Sequence, residues 1–196
     1  HQIAARLIAD MVGQHEVDFM RSFAIPFPVL MNCHLLGLPV KDWEQLERWG
    51  AEIIAAKDTD PSRDTRQRAG VATVQAQAYF DKALREKQQQ PQNDLMSHLV
   101  KSVEAQTMTW EDAVAMCSFL VVAAHETVTT YLANAFLALI QHPEEKQKML
   151  SYGDQIPDAA IEELLRYSPP VLFVLRRAME DTEIAGELVP QGGMVG

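Results

Sequence analysis

One stretch of 32 residues, Trp110–Gln141, constrains this chain more than any other part of it. Its start has the pattern of a capping box, with Thr109 as the N-cap and Asp112 three residues later. Pro143 follows its end and marks a stop. At about 1.5 Å per residue, a helix of this length measures about 48 Å, which is enough to cross a whole domain.

The same stretch is almost free of charge. Between residues 113 and 140 the only acidic or basic side chains are His125 and Glu126. A helix that is apolar all round either lies in a protein core or spans a membrane. The membrane interpretation is disfavoured because a carboxylate at bilayer depth is costly and no basic cluster flanks the stretch. We therefore expect a buried central helix and no membrane span.

Most of the remaining chain also has helical periodicity, and its end changes character. Asp58–Asp64, around Pro61, reads as a loop. The sequence predicts a mainly α protein with a long central helix at about 110–141 and a small β region after 171, in a single partial domain over 1–196. Further helices are predicted at 3–11, 29–36, 42–54, 67–88, 94–103, 143–150 and 158–167, and strands at 171–178, 183–184 and 188–189.

Composition and charge exclude several classes of function. With 27 acidic residues against 17 Lys and Arg, the formal net charge is −10, which argues against binding to nucleic acid. The two cysteines, Cys33 and Cys117, have no metal-ligand spacing and fit free thiols in a reducing cytosol. The first ten residues lack the layout of a signal peptide. We therefore expect a cytoplasmic protein.

The middle of the long helix carries the first candidate site. Its candidate chemical groups are the Thr127 hydroxyl and, on the shoulder of the same face, the Glu126 carboxylate. In one interpretation Thr127 loosens the helix locally and opens room for water or a ligand. In the other, Thr127 bonds only to its own helix and Glu126 is buried against an arginine. At 100° per residue, the face of Thr127 also holds Met116, Phe119, Leu120, Ala123 and Asn134.

Two further patterns are weaker. His125-Glu126 begins like a zinc-protease helix, but residue 129 is Thr where the second His is needed, so no metal ligands are predicted in this chain. Glu163 and Arg166 are i, i+3 neighbours in the helix before Pro169, and the spacing alone predicts a solvated ion pair.

Five motifs occur along the chain in this order: Leu36–Pro39, Ala123–Thr127, His142–Glu144, Glu163–Arg166 with Pro169-Pro170, and Arg176–Asp181. Together they resemble a bacterial-type cytochrome P-450, a haem-thiolate monooxygenase. The resemblance implies the fold of that family and an oxidoreductase that inserts one oxygen atom of O2 into a small apolar substrate. It also implies haem iron as cofactor, with electrons ultimately from NAD(P)H through a ferredoxin- or flavodoxin-like partner.

The resemblance also implies catalytic and cofactor-binding roles. Thr127 holds the proton that reaches dioxygen, and Glu126 supplies protons from solvent. Ala123 and Ala124 let the helix backbone approach the haem, although Ala124 stands where the family usually has Gly. Arg176 pairs with a haem propionate, as a guanidinium does with a carboxylate.

Structural and substrate-lining roles follow from the same resemblance. Glu163 and Arg166 form a structural pair beneath the haem. The side chains implied for the substrate wall are Phe119, Val122, Val171, Leu172, Phe173 and Val174.

The family's iron ligand has no counterpart here. That ligand is a cysteine in a glycine-containing loop, and its thiolate favours O–O cleavage. Neither Cys33-His34-Leu35 nor Cys117-Ser118-Phe119 fits such a loop. We therefore expect a central fragment of a family member, without the N-terminal part and the cysteine loop, that is inactive alone. The alternative is a non-catalytic helical remnant, or a module that binds apolar ligands or a partner.

Overall fold

The chain is mainly α-helical in the computed structural model, as predicted. The structure describes residues 1–57 and 60–196, so the predicted loop at 58–64 lies partly outside the described residues, as does the side chain of Ala124. A π-helix at Met20–Ala24 and a 3-10 turn at Val40–Asp42 complete the helical part. The α-helices are α1 (Gln2–Met11), α2 (Pro26–Leu36), α3 (Trp43–Ala55), α4 (Arg63–Gln89), α5 (Leu95–Glu104), α6 (Trp110–Gln141), α7 (Pro143–Ser151) and α8 (Asp158–Tyr167).

Side chains at the helix ends explain where several helices begin and stop. The predicted cap of α6 is confirmed, since Thr109 Oγ1 accepts a bond of 3.1 Å from the Asp112 backbone amide. Asp94 caps α5 in the same way through the amide of Ser97, at 2.8 Å. At the other end of α2, Gly37 adopts a left-handed conformation with φ of 71°, which closes the helix.

Four short strands form two antiparallel pairs after α8. They are β1 (Arg176–Arg177), β2 (Thr182–Ile184), β3 (Glu187–Val189) and β4 (Met194–Val195), with β2 paired to β3 and β1 to β4. The strands predicted at 183–184 and 188–189 are confirmed. The strand predicted over 171–178 is wrong except at 176–177, because β4 offers only two residues for pairing.

The core lies between α2, α3, α4, α5 and one side of α6. From α6 it receives Ala113, Cys117 and Val121, which recur every fourth residue and so form one stripe. In the described chain the opposite side of α6 is open, so the expected burial of this helix is found on one side only. A stretch of α6 is long and apolar enough to cross a membrane, a property that core helices of soluble proteins share.

A buried ion pair joins α4 to α5 at the corner of the core that the end of α2 approaches. Lys87 Nζ, near the end of α4, lies 2.5 Å from Asp94 Oδ2 at the start of α5. Burial alone raises the pKa of Asp94, but the bonds from Lys87 and Ser97 outweigh it and hold that pKa below its usual value. A Cβ atom on Gly37 would overlap the Asp94 carboxylate, so the end of α2 approaches this pair only because residue 37 is glycine.

The π-helix packs against α6 from a distant part of the sequence. Its closing bond runs from the Ile25 amide to the Met20 carbonyl, at 2.9 Å. Thr129 Oγ1 donates a bond of 3.0 Å to the carbonyl of Ala24, which ties the end of this short helix to α6. Nearby, the rings of Phe19 and Phe136 stack with their centroids 4.2 Å apart.

Candidate functional site

The face of α6 that carries Thr127 is the open one. Phe119 is 61% exposed, and Ala123 and Thr127 are half-buried. One quarter-turn away, Val122 is only 8% exposed and packs toward the core side of the helix. Val122 therefore lies off the exposed face, and its substrate-lining role stays a prediction.

The hydroxyl of Thr127 bonds within its own helix. Its Oγ1 donates to the carbonyl of Ala123, one turn earlier, at 2.9 Å. A hydroxyl has one donor and two acceptor positions, so the oxygen can still accept a bond from the open face. The structure thus contains the self-satisfied threonine that was one of the two alternatives, on a face that remains accessible.

Glu126 lies in solvent beside Thr127. Its side chain is exposed, and it forms no ion pair with a described residue. Of the two alternatives, the one with a buried carboxylate paired with an arginine does not hold in the described chain, because residue 126 projects on the solvent side of the helix. A carboxylate in this position can exchange protons with water directly.

His125 points in the opposite direction from Thr127 and is buried. It is 7% exposed, and within the described part of the chain neither ring nitrogen has a hydrogen-bond partner. Burial lowers its pKa, although the charges of Glu47 and Glu126 oppose that shift. The ring faces Gly50 of α3, where an added Cβ would lie 3.5 Å from Nδ1. Helical periodicity predicts only which way the His125 side chain points. Its burial against α3 depends on the tertiary packing.

Three polar contacts hold α8 and its end against the C-terminal half of α6. The Tyr131 hydroxyl donates to the Ile161 carbonyl at 3.4 Å, and Asn134 Nδ2 donates to the Ser168 carbonyl at 3.2 Å. The third contact joins His142 Nε2 and the Tyr167 hydroxyl at 2.9 Å. A half-open cavity of about 530 Å³ lies between α6, α7 and α8, with Ala138, Leu139 and Leu164 in its wall.

The ion pair predicted from spacing in α8 is present. Arg166 donates from Nε and Nη2 to the two carboxylate oxygens of Glu163, at 2.7 Å each. These bonds hold the pKa of Glu163 below its usual value, even though both side chains are exposed. The structure therefore shows a bidentate pair at the surface of the described chain, and the role beneath a haem remains a prediction.

An apolar segment follows α8 and lies in the open. Val171–Leu175 are all exposed, and Leu172 is the most exposed of them at 83%. Arg176, the next residue, is exposed and donates from Nη1 to the Leu175 carbonyl at 3.1 Å. The other donors of this guanidinium bond to no described residue, so they are available to a carboxylate.

Comparisons with known proteins agree with these features. A family model described as cytochrome P450 matches residues 62–156, which include Thr127 and nearly all of the core contributed by α4, α5 and α6. The biotin biosynthesis cytochrome P450 of Bacillus subtilis is 34% identical over 96% of this chain. The crystal structure of P450BioI in complex with an acyl carrier protein ligated to hexadec-9Z-enoic acid matches 98% of the chain with a TM-score of 0.90. Over nearly its whole length this chain is therefore similar to bacterial cytochrome P450s in sequence and in fold.

The chain matches only part of the length of each of these P450s. The chain spans about half the length of the curated relatives it matches, 48% of the B. subtilis biotin biosynthesis protein and 47% of the vitamin D(3) 25-hydroxylase of Pseudonocardia autotrophica, which is 32% identical. It likewise covers 50% of the P450BioI chain. The resemblance inferred from the motifs is confirmed, and activity, substrates and partners belong to the whole protein.

P450s use haem iron, and the residues of this chain fit one wall of a haem site. The open face around Ala123 and the free donors of Arg176 suit a flat apolar group with carboxylate arms. The cysteines do not fit as iron ligands, because Cys33 and Cys117 are both fully buried in the helical core. Burial, with the charge of Asp42, raises the pKa of Cys33 to about 11, and burial raises that of Cys117 to about 12, so both thiols stay protonated.

Proposed function

We propose that the whole protein containing this chain is a cytoplasmic haem-thiolate monooxygenase that inserts one oxygen atom of O2 into a small apolar substrate. Its closest support in the structure is the open face of α6, where a hydroxyl and a solvent-exposed carboxylate stand side by side among apolar residues. Similarity to cytochrome P450s supplies the reaction class.

A few residues of this chain would contact the haem. Ala123 and Ala124 lie where α6 would face the haem, and Arg176 would bind a propionate through its unused donors. When bound, the haem supplies the activation of dioxygen, with electrons from NAD(P)H through a ferredoxin- or flavodoxin-like partner. The thiolate ligand would come from a part of the whole protein other than Cys33 and Cys117.

Proton delivery is the chemistry that this chain itself performs. The Thr127 hydroxyl donates to the Ala123 carbonyl at rest, and rotation about its Cα–Cβ bond turns the donor toward the open face. Glu126, exposed to water, takes up protons and passes them to the threonine oxygen through water. A hydroxyl suits this relay because it can accept one proton while it gives up another.

The substrate wall is apolar, and the names of the relatives differ too widely to select one substrate. Phe119 and the segment Val171, Leu172, Phe173 and Val174 present the apolar surface. The names of similar proteins refer to vitamin D(3) and cyclomarin C, and the P450BioI structure contains an acyl carrier protein with a fatty acid. We propose a small apolar substrate or the apolar end of a larger one.

One observation favours a second candidate, a non-catalytic helical body. The open side of α6 and the segment after α8 expose many large apolar side chains, a property that promotes association. A truncated remnant that binds an apolar ligand or partner would use this surface. The two candidates differ in the whole protein, since only the enzyme needs Thr127 for turnover.

The decisive experiment is Thr127→Ala in the whole protein. Loss of the hydroxyl should lower product formed per O2 consumed by about tenfold or more, with the missing oxygen released as hydrogen peroxide. The matched control is Thr73→Ala, because Thr73 makes the same bond to the carbonyl four residues earlier, Ala69, but lies on α4. Unchanged product and peroxide yields in Thr127→Ala would refute the proton-delivery role.

A further inference from the structure

The hydrogen bond between Asn134 and Ser168 links the Thr127 face of α6 to the apolar segment Val171–Leu175. We propose that Asn134 is a positioning residue that fixes this segment relative to Thr127 and so helps select which substrate atom lies next to the hydroxyl. The inference rests on the proposed function, in which Thr127 delivers protons and the segment forms part of the substrate wall.

The geometry of α6 places the two residues on one line. Asn134 follows Thr127 by seven residues, so it lies about 10 Å further along the helix axis and is turned by only about 20° from it. Both side chains are half-buried on the same side of the helix. A rigid α6 therefore sets a fixed distance between the Thr127 hydroxyl and any chain that Asn134 holds.

What Asn134 holds is the start of the segment. Its Nδ2 donates to the carbonyl of Ser168 at 3.2 Å, and the Ser168 amide donates to Leu164 at 3.2 Å as α8 ends. Pro169 and Pro170 come next, and their rings fix the backbone φ angles, so the chain is stiff between Ser168 and Val171. The position of the Ser168 carbonyl therefore determines where Val171 begins.

The segment has few other restraints. At its far end, β1 pairs with β4 through Arg176 and Arg177. Between these two attachments, residues 169–175 make no backbone-to-backbone hydrogen bond with any residue that the structure describes. A segment without backbone bonds between its two attachments is sensitive to loss of either one, and Asn134 provides the attachment to α6.

The chain offers a matched control in Tyr131. Its hydroxyl also reaches from α6 to a carbonyl, that of Ile161, but this carbonyl lies inside α8 and not at the start of the segment. Tyr131→Phe removes a contact between the same two helices and leaves the bond to Ser168 intact. A general loosening of α8 and a specific release of the segment can thus be told apart.

The experiment measures the position of the segment and the selectivity of the whole haem-loaded protein. Spin labels at Leu172→Cys and Glu111→Cys, both exposed in the described chain, report the distance between the segment and α6. Cys33 and Cys117 are too buried to react, and any other reactive cysteine of the whole protein is first replaced by serine. We expect the distance distribution to broaden or shift in Asn134→Ala and in Asn134→Asp, which keeps the shape but loses the donor. Tyr131→Phe should keep the wild-type distribution.

Without the labels, the same variants should change the product ratio or the substrate KM. A change of about two- to tenfold corresponds to one lost hydrogen bond. The peroxide yield that depends on Thr127 should stay at the wild-type level, because the hydroxyl itself is untouched.

The outcomes separate this inference from the proposed function. A sharp wild-type distribution in both Asn134 variants refutes the inference, whatever the protein catalyses. A broadened distribution with an unchanged product ratio and KM refutes the selecting role. If the distribution broadens but the wild-type protein oxygenates no apolar compound, the proposed function has failed and the selecting role fails with it.

Discussion

His125 and Thr127 are two residues apart on α6, yet they face opposite environments. Thr127 lies on the open face, whereas His125 is enclosed between α6 and Gly50 of α3. The first position can take part in chemistry with a ligand. The second is a neutral packing group, because a charged imidazole without a partner is costly inside a protein.

This burial predicts a pH dependence of stability. The folded pKa of His125 lies below its unfolded value near 6.5, so its contribution is complete above that value and is lost as pH falls through the folded pKa. Below pH 6.5 we expect the free energy of unfolding to fall by up to about 1.4 kcal/mol per pH unit. Only Glu47 and Glu126 offset this effect among the charges acting on the ring.

Urea unfolding between pH 7 and pH 5 measures this dependence. In His125→Phe, which keeps a ring without a titrating group, the slope below pH 6.5 should flatten. The control is His98→Gln, because His98 lies at the surface of α5 and should leave the slope unchanged. Equal slopes in wild type and His125→Phe would show that His125 does not titrate on unfolding.

Among the helices and strands, the features that the sequence predicts correctly are those that depend on residues close together in the chain. The length of α6 and its Thr109 cap are both predicted, since they depend on residues close together in sequence. The strand predicted over 171–178 is mostly wrong, because strand formation depended on the length of a distant partner. The π-helix at Met20–Ala24 is not predicted at all, and its contact with Thr129 spans 105 positions.

The corner where α2, α4 and α5 meet yields a prediction about stability. Lys87→Met leaves the Asp94 carboxylate buried without its cation and should lower the free energy of unfolding by about 3 kcal/mol. The matched control is Lys82→Met on the same helix, where the partner Glu86 is 3.9 Å away and both side chains are exposed. A loss in Lys87→Met no larger than in Lys82→Met would contradict a role for the buried pair.

The candidate site was predictable in part. The motif around Thr127 gave its face on α6, and the spacing of Glu163 and Arg166 gave their pairing. The exposure of Glu126 and the burial of Val122 were not predictable, because they depend on which side of α6 the other helices cover. Helical periodicity predicts which positions around a helix are more buried than others, but it does not predict how wide the buried stripe is.

At the scale of the whole molecule, the chain leaves one side of its central helix uncovered. The apolar groups of that side and of the segment after α8 would meet water in the isolated 196-residue chain. We therefore expect this chain to self-associate as its concentration rises, which sedimentation velocity can measure. Leu172→Glu should weaken the association, and Met179→Glu, outside the segment but equally exposed, should weaken it less.

A monomer at every concentration, with a cooperative thermal transition, would contradict this prediction. It would also weigh against the remnant that acts through an exposed apolar surface, since such a surface would then not be adhesive. Association that Leu172→Glu leaves unchanged would place the adhesive surface elsewhere, such as on the outer side of α6 near Phe136 and Leu137.

The contact between Ala24 and Thr129 has a consequence for biosynthesis. Ribosomes make the chain from its N-terminus, so the π-helix emerges 105 residues before the threonine that holds it. At about 5 to 20 residues per second, its carbonyl and the ring of Phe19 wait roughly 5 to 20 seconds for their partners. During translation this first part of the polypeptide therefore docks only after most of α6 has been synthesised.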